Sequence, residues 1–313
     1  MTGFIIRRLG QAIVVTIGVT VITFVLLHAL PGSLARDILG ARATPQAIAQ
    51  FNQQNGLNKS IFVQYWIFIK QLFGGHLWSY QYNRTVNSLL ASELPRDIIL
   101  GGLSLIFSLI IAIPIGIAQA VRRNGIIDYV GTGASFILWS MPQYAVALLL
   151  IQFLAISFHV FPAEAPQGPA VSSALQDPQA LVLPVLALTL TIYAQFSRYM
   201  RSSAIDTLAQ DYMRTARAKG LPERRVLSRH LMRNSLLTVV TLVGLNIPLI
   251  LTGTLIIEQV FNYPGVGLEY LTATLSNDFE VMLEITVLVG IVTVVGNLLA
   301  DIGYAVLDPR IRY

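Results

Sequence analysis

The sequence predicts an all-α membrane protein with six transmembrane helices. The 313-residue chain has a mean hydropathy of +0.65, with 54% apolar and only 12% charged residues. This composition suits a helical protein with several spans better than a soluble domain. The uncharged runs are near or above the roughly 20 residues that a helix needs to cross a bilayer core. The predicted spans are 9–30, 98–121, 129–158, 179–197, 236–257 and 285–300.

The first span begins directly after two arginines, a pattern that a secretory signal peptide would share. Arg7 and Arg8 precede the apolar run 9–30. That run is longer than the 7 to 15 residues that are usual for the apolar part of a signal peptide. We therefore expect an uncleaved first helix.

The segment that follows the first span has helical signals of its own. Thr44 is a suitable N-cap with Pro45 in the first helical position, and Gly56 is a suitable stop. These residues predict a short helix over 45–55. The run 61–73 is apolar and aromatic, but thirteen residues cannot span a bilayer. We expect this second helix at the membrane interface or packed on the outer ends of other spans.

Several predicted spans contain prolines and polar side chains. Pro248 removes a backbone donor and leaves the carbonyl of Gly244 without its usual partner, while Asn246 adds a polar side chain at mid-span. Asn246 could line a solvated passage in a kinked helix, or it could bond a neighbouring helix in a dry bundle. Gln143, beside Pro142, has the same two interpretations. The candidate residues for the wall of a passage are Gln143, Gly244, Asn246, Pro248 and Thr252.

Lysine and arginine placement predicts the orientation. Basic residues occur before the first span, between spans two and three, between spans four and five, and after span six, whereas the loops 159–178 and 258–282 contain none. Because cytoplasmic loops carry the excess of Lys and Arg, both termini should be cytoplasmic. The pI near 9.6 reflects this bias, so nucleic-acid binding is the weaker explanation of the net charge.

Few features point to chemistry inside the membrane. Glu258, Glu284 and Asp301 lie near the ends of predicted spans, so we expect them at the interface. No coupling-ion site is evident, as an ion-coupled secondary transporter of small solutes would need. No nucleophile and base lie at a common depth, as a membrane hydrolase would need. The chain has no Cys, no His pattern for a metal and no phosphate-binding Gly-Lys-Ser/Thr loop, so it should not hydrolyse ATP.

A strongly basic segment, 198–235, separates the fourth and fifth spans. It holds nine Arg or Lys against three acids, and its middle reads Asp211-Tyr-Met-Arg-Thr-Ala-Arg-Ala-Lys-Gly220-Leu-Pro222. A turn between two helices needs no such length. A long, basic, helix-prone loop is better explained as a docking surface for a soluble partner. The alternative is a solvated loop that binds anionic lipid headgroups.

The centre of this segment resembles the loop by which ABC importer permeases dock on their ATPase subunit. With Gly220 aligned on the glycine of that motif, Arg214, Thr215 and Ala216 stand at its Glu-Ala-Ala positions. The version here looks like the one found in the dipeptide, oligopeptide and nickel permease branch. Other segments similar to that branch are Phe4-Ile-Ile-Arg-Arg-Leu9, His28-Ala-Leu-Pro-Gly32, Glu93-Leu-Pro-Arg96, Glu258-Gln-Val-Phe-Asn-Tyr-Pro-Gly-Val-Gly267 and Leu307-Asp-Pro-Arg-Ile-Arg312.

The resemblance covers essentially the full chain and implies a domain organisation. It is strongest to the first, B-type, permease of peptide importers, whose long outer loop after the first helix is matched by 31–97. Residues 1–93 would be the first helix with its partly helical extracytoplasmic loop, and 94–307 the five-helix core of the type I ABC importer permease fold. The coupling loop would be 198–235, and 308–313 a cytoplasmic tail.

The resemblance also implies partners. A second, different permease would complete the channel, ATPase subunits would bind ATP and Mg²⁺ beneath it, and an extracytoplasmic binding protein would deliver a peptide. This chain would need no cofactor. The helix near 211–221 would be the coupling helix, with Ala216 and Ala218 allowing close approach of the ATPase and the basic side chains pairing with its acids. The residues assigned to docking are Asp211, Arg214, Thr215, Ala216, Arg217, Ala218, Lys219 and Gly220.

Overall fold

The computed structural model describes residues 2–29, 34–40, 42–168, 175–247 and 254–307. A two-stranded antiparallel hairpin, β1 (Trp78–Ser79) and β2 (Arg84–Thr85), joins the two parts of the chain. The helices are α1 (Thr2–Ala29), α2 (Leu34–Leu39), α3 (Pro45–Gln54), α4 (Ile61–Gly74), α5 (Val86–Val121), α6 (Ile126–Ser140), α7 (Gln143–Leu150), α8 (Pro178–Leu208), α9 (Asp211–Ala218), α10 (Glu223–Arg225), α11 (Met232–Asn246), α12 (Leu255–Phe261), α13 (Val266–Ser276) and α14 (Phe279–Leu307). Two π-helical segments, Ile151–Ser157 and Val226–Leu231, continue α7 and α10.

Three described helices are long and apolar enough to cross a membrane by length and composition. They are α5, α8 and the Phe279–Leu299 part of α14, which hold the predicted spans 98–121 and 179–197 and all but the last residue of 285–300. The helices α6 and α7 make a fourth span if the pair is counted as one, and α1 holds the shorter apolar stretch Gly10–Leu26. The count of six spans therefore remains a prediction.

The predicted span 129–158, which contains Pro142, is present as two helices rather than one. The chain breaks between α6 and α7, and the two halves are bent by 105°. Met141 is extended, with φ −80° and ψ 132°. The physical reason is Pro142, which lacks an N–H and whose ring disfavours a helical conformation in the residue before it. The predicted fifth span, 236–257, falls on α11, on the start of α12 and on residues outside the described part of the chain.

A stripe of small residues holds α5 against α8. The Oγ of Ser104 donates to the carbonyl of Val185 at 3.3 Å, and the Oγ of Ser108 donates to the carbonyl of Thr189 at 2.9 Å. A Cβ on Gly116 would meet the Cβ of Met200 at 2.8 Å. Small residues spaced four apart let two helices approach closely in a membrane, where close packing replaces the hydrophobic effect. The stripe consists of Ser104, Ser108, Ala112, Gly116 and Ala120, all buried.

The segment after α1 confirms both helices predicted there. The Oγ1 of Thr44 caps α3 by accepting from the N–H of Ala47 at 3.2 Å. Helix α4 packs on α1, with the ring of Phe24 5.3 Å from that of Tyr65 and 5.6 Å from that of Phe68. The opposite face of α4 is apolar and exposed, and Phe62 there is 83% exposed.

Candidate coupling and translocation sites

The predicted coupling helix is present as α9, and its end is formed by local backbone geometry. Gly220 has φ +74°, a left-handed conformation that glycine adopts without steric cost. Its N–H donates to the carbonyl of Arg217 at 2.9 Å, and the N–H of Leu221 donates to that of Ala216 at 3.4 Å. This pair of bonds is a Schellman motif, which ends a helix and satisfies its last carbonyls.

One face of α9 packs into its own chain. Met213 is fully buried and Ala216 is 5% exposed. Both belong to an apolar cluster with Ala120 of α5, Ala204 of α8 and Val226. The interpretation of Ala216 as a surface for close approach of a partner therefore needs correction, because its methyl group faces the bundle. The cluster joins α9 to the ends of two long helices.

The other face of α9 is exposed and charged. An exposed ion pair joins Arg214 to Asp211 at 3.8 Å. The guanidinium of Arg217 donates twice to the carboxylate of Glu223, at 3.2 and 2.8 Å, and these bonds lower the pKa of Glu223. The Oγ1 of Thr215 donates to the carbonyl of Asp211 at 3.0 Å. Arg217 and Thr215 thus have partners within this chain.

Further basic side chains of the segment 198–235 are exposed and form no ion pair within the described part of the chain. Ala218 is exposed beside them and is the small residue that remains available for close approach. The basic segment is also more helical than predicted, since α8 continues to Leu208 and the intervening loop is short. The exposed basic residues around α9 are Lys219, Arg224, Arg225, Arg229 and Arg233.

Two of the residues predicted for a passage line one cavity. Gln143 at the start of α7 and Asn246 at the end of α11 share a cavity of about 170 Å³ with residues of α5 and α8. The Nδ2 of Asn246 donates to the carbonyl of Leu242 at 2.7 Å, so among the described residues its hydrogen bond stays within its own helix. Gly244 is buried. Pro248 and Thr252 lie outside the described residues.

A second cavity adjoins the first. It has a volume of about 340 Å³, and Trp139 and Gln195 line both cavities. Its wall contains Arg198 and Arg201, two of the nine basic residues counted in the segment 198–235. These two arginines lie on α8 and face α6, so they are not part of the exposed surface of α9.

A buried polar cluster, missed by the sequence interpretation, lies at the opposite end of α5. Arg96 is 3% exposed, and its Nη1 contacts the Oε2 of Glu93 at 3.2 Å. The Nη2 of Arg96 donates to the carbonyl of Gly168. Glu258 is fully buried and Glu284 is 6% exposed, so both acids pack inside the protein, and their expected depth at the membrane interface stays a prediction.

Backbone donors hold the carboxylates of this cluster. The N–H of Val266 donates to the Oδ2 of Asp97 at 3.1 Å, and the N–H of Leu268 donates to the Oε2 of Glu258 at 2.7 Å. The hydroxyl of Tyr263 donates to the carbonyl of Arg96 at 2.8 Å. The sequence marked these residues only as the motifs Glu93-Leu-Pro-Arg96 and Glu258 to Gly267. Nothing in either motif predicts that the two segments contact each other.

Beside this cluster, the hairpin lies against α13. Burial raises the pKa of Glu269 to about 7, although its hydrogen bond with Tyr82 opposes that shift. Burial and the proximity of Glu269 raise the pKa of Tyr82 to about 12. Within the described residues, no three His, Asp or Glu side chains lie close enough together to hold a metal ion.

Comparison with known proteins gives matches along the whole chain. Residues 112–313 match the family model described as "Binding-protein-dependent transport system inner membrane component", and residues 1–100 match the model of its N-terminal membrane component. The oligopeptide transport system permease protein AppB of Bacillus subtilis is 36% identical over 316 residues, which cover 100% of both chains.

Two further relatives have the same coverage. The oligopeptide transport system permease protein OppB of Salmonella typhimurium is 34% identical over 316 residues, and the glutathione transport system permease protein GsiC of Salmonella choleraesuis is 33% identical over 314 residues. Both alignments cover 100% of each chain. With its long apolar helices, this chain is a multi-pass membrane protein, and it belongs to the family of inner membrane components of binding-protein-dependent transport systems.

Proposed function

We propose that this chain is the channel-forming permease subunit of an ATP-driven importer that moves peptides across the cytoplasmic membrane. The observation that carries the proposal is the packing of α9. Its buried residues Met213 and Ala216 join it to the ends of α5 and α8, while its charged face remains exposed. A short helix held in this way transmits movement of a docked ATPase to the long helices. The names of the relatives support the peptide class.

The proposal includes the partners and the division of labour. A second, different permease completes the channel, and an extracytoplasmic binding protein delivers the peptide. ATPase subunits bind ATP and Mg²⁺, so this chain is a transport subunit without an ATPase site or a cofactor. Membrane lipids surround it, and it binds no nucleic acid. Residues 1–93 form the first helix and outer loop, 94–307 the permease core and 308–313 the tail.

Docking is tested at exposed residues, because substitution of Ala216 would also disturb the bundle. The double substitution Arg214→Glu and Lys219→Glu should reduce co-purification of the ATPase subunit and peptide uptake several-fold, since it reverses charge on the exposed face. Lys59→Glu is the matched control, because Lys59 is exposed in the segment after α1. Wild-type co-purification and uptake in the double variant would refute docking through α9.

Orientation is tested with single cysteines, since the chain has none. Both termini and α9 should be cytoplasmic, and 31–97 should be outside. Ser60→Cys should then react with a membrane-impermeant thiol reagent in intact cells, whereas Ser228→Cys should react only after the membrane is opened. Both positions are exposed. The reverse pattern of labelling would overturn the topology.

The passage is tested at Asn246. Asn246→Leu should impair peptide uptake more than it impairs assembly with the second permease, because it removes a polar group from the cavity that Gln143 also lines. Thr241→Val is a suitable control, since the Oγ1 of Thr241 likewise donates within its own helix, to the carbonyl of Leu237 at 3.1 Å. Equal uptake by the Asn246 variant and wild type would assign Asn246 a purely structural role.

A further inference from the structure

The larger cavity adjoins the one that holds Asn246 and has a different chemical character. Aromatic and cationic side chains from α6 and α8 make its wall, and Trp139 and Gln195 separate it from the smaller cavity. Its volume of about 340 Å³ falls at the lower end of the range for small-molecule sites. The two cavities therefore form neighbouring chambers along the same pair of helices.

The two arginines in this wall differ in whether their charge is neutralised. The Nε and Nη2 of Arg201 donate to the two carboxylate oxygens of Asp128 at 2.5 and 2.9 Å. Arg198 pairs with no carboxylate among the residues that the structure describes. Its guanidinium carbon lies 4.5 Å from the ring centroid of Phe136 and 5.2 Å from that of Trp139.

The setting of Arg198 suits the binding of an anion. Two aromatic rings hold the guanidinium in place through cation–π contacts and displace water from its faces. The edge of the guanidinium keeps its N–H donors, whose fork matches a carboxylate with two parallel hydrogen bonds. Partial removal from water strengthens the attraction between unlike charges.

We propose that Arg198 is a binding residue for the C-terminal carboxylate of a peptide in transit through the larger chamber. This inference rests on the proposed transport of peptides and adds a residue that recognises one end of the cargo. The rings of Phe136 and Trp139 would contact the apolar part of the peptide, and Gln195 would offer an amide at the boundary of the chambers. A phosphate of an anionic lipid presents similar chemistry, and the experiment distinguishes the two.

The test uses the importer reconstituted in lipid nanodiscs, where both faces are accessible and the binding protein can be omitted. Ser202 lines the chamber and is exposed, so Ser202→Cys reports its occupancy through the rate of reaction with a thiol reagent. A tripeptide with a free C-terminal carboxylate should slow this reaction several-fold. The same tripeptide with a C-terminal amide should slow it much less.

Variants at Arg198 identify the responsible group. Arg198→Gln should abolish the protection by the free-acid tripeptide, and Arg198→Lys should keep part of it because the charge remains. Arg123→Gln is the matched control, since Arg123 is an exposed arginine outside the chamber, and this variant should show the same protection as wild type. Full protection in the Arg198→Gln variant would overturn the proposal, as would equal protection by acid and amide.

Two further outcomes separate the alternatives. If the reaction slows with the phosphatidylglycerol content of the nanodisc and the tripeptide has no effect, the chamber holds lipid and the proposal fails. Peptide uptake by the wild-type importer in proteoliposomes is measured in parallel. Normal uptake without protection at position 202 would overturn only the role of Arg198, whereas absence of uptake of any peptide would refute the proposed function itself.

Discussion

The two ends of α5 carry charge in opposite ways. At one end, Ala120 belongs to the same apolar cluster as Met213 and Ala216, and the charged side chains of α9 are exposed. At the other end, Arg96 and Asp97 are buried with Glu258. Residues 96 and 120 are 24 positions apart, which is about 36 Å along a helix. Helix α5 thus ends at one side in an apolar contact with α9, whose charged face is exposed. Toward its other end it carries a buried ionic cluster.

The different placement of charge suits a docking surface at one end of α5 and a fixed packing contact at the other. A docking surface needs charges that a partner can reach, so apolar contacts have to hold α9 in place. The buried cluster fixes α12 and α13 against α5, and its carboxylates accept backbone N–H groups that would otherwise be unsatisfied. Removing one member of such a cluster leaves an uncompensated charge, whereas removing an exposed charge costs little. The following predictions test this contrast.

The largest effect is expected at Arg96. Arg96→Met keeps the length of the side chain but leaves Glu93 and Asp97 without the guanidinium. We expect a loss of about 3 to 5 kcal/mol in the free energy of unfolding, measured by thermal unfolding of the purified protein. Arg214→Met, at the exposed end, should stay within about 0.5 kcal/mol of wild type. Equal losses for the two variants would contradict the contrast between the ends.

Apolar packing should dominate the other end. Met213→Ala should cost about 2 to 5 kcal/mol, because it opens a cavity between α9, α5 and α8. Met213→Leu nearly conserves the volume and should cost less than about 1.5 kcal/mol. Both losses of stability are measured by thermal unfolding and by the protease resistance of residues 209–222, which contain α9. An Ala variant as stable as the Leu variant would mean that Met213 does not hold α9.

The backbone at Gly220 should have a moderate effect. A Cβ at this position meets no atom within 4 Å, so Gly220→Ala tests the left-handed conformation alone. We expect a loss of about 1 to 2 kcal/mol and a weaker end to α9, observed as faster amide hydrogen exchange at residues 220 and 221. Lys219→Ala, one position earlier and right-handed, is the control and should leave exchange unchanged.

The smallest effects concern pH and should have opposite signs at the two ends. The raised pKa of Glu269 means that the folded state binds its proton more tightly, so this contribution to stability is present below pH 4.5 and is lost as pH rises through about 7. The lowered pKa of Glu223 contributes stability above pH 4.5, which is lost as pH falls below that value.

Melting temperatures measured across pH 3 to 8 check both signs. Glu269→Gln should reduce the decline near neutral pH, because the amide does not titrate. Arg217→Gln should remove the smaller loss of stability below pH 4.5, which is worth about a few tenths of a kcal/mol for an exposed ion pair. A Glu269→Gln variant with an unchanged pH profile would show that another group causes the decline.

The sequence by itself determined the elements whose signals are local. Thr44 and Pro45 start α3, and Gly220 ends α9, because these features depend on hydrogen bonds between residues a few positions apart. The long apolar runs likewise identified α5 and α8. The sequence from Asp211 to Gly220 also predicted one helical segment, but not which of its faces is buried.

Only the tertiary structure decided which side chains face one another. Ala216 points into the bundle because α5 and α8 end beside it, and Gln143 shares a cavity with Asn246 because Pro142 bends the chain between α6 and α7 by 105°. The carbonyl of Arg96 accepts a hydrogen bond from the hydroxyl of Tyr263, which lies 167 positions later in the sequence. Burial of an acid such as Glu258 depends on these distant neighbours, whereas hydropathy along the chain reports only local composition. Local signals in the sequence therefore determined where α3 begins and where α9 ends, and the packing of distant helices decided which charges are buried.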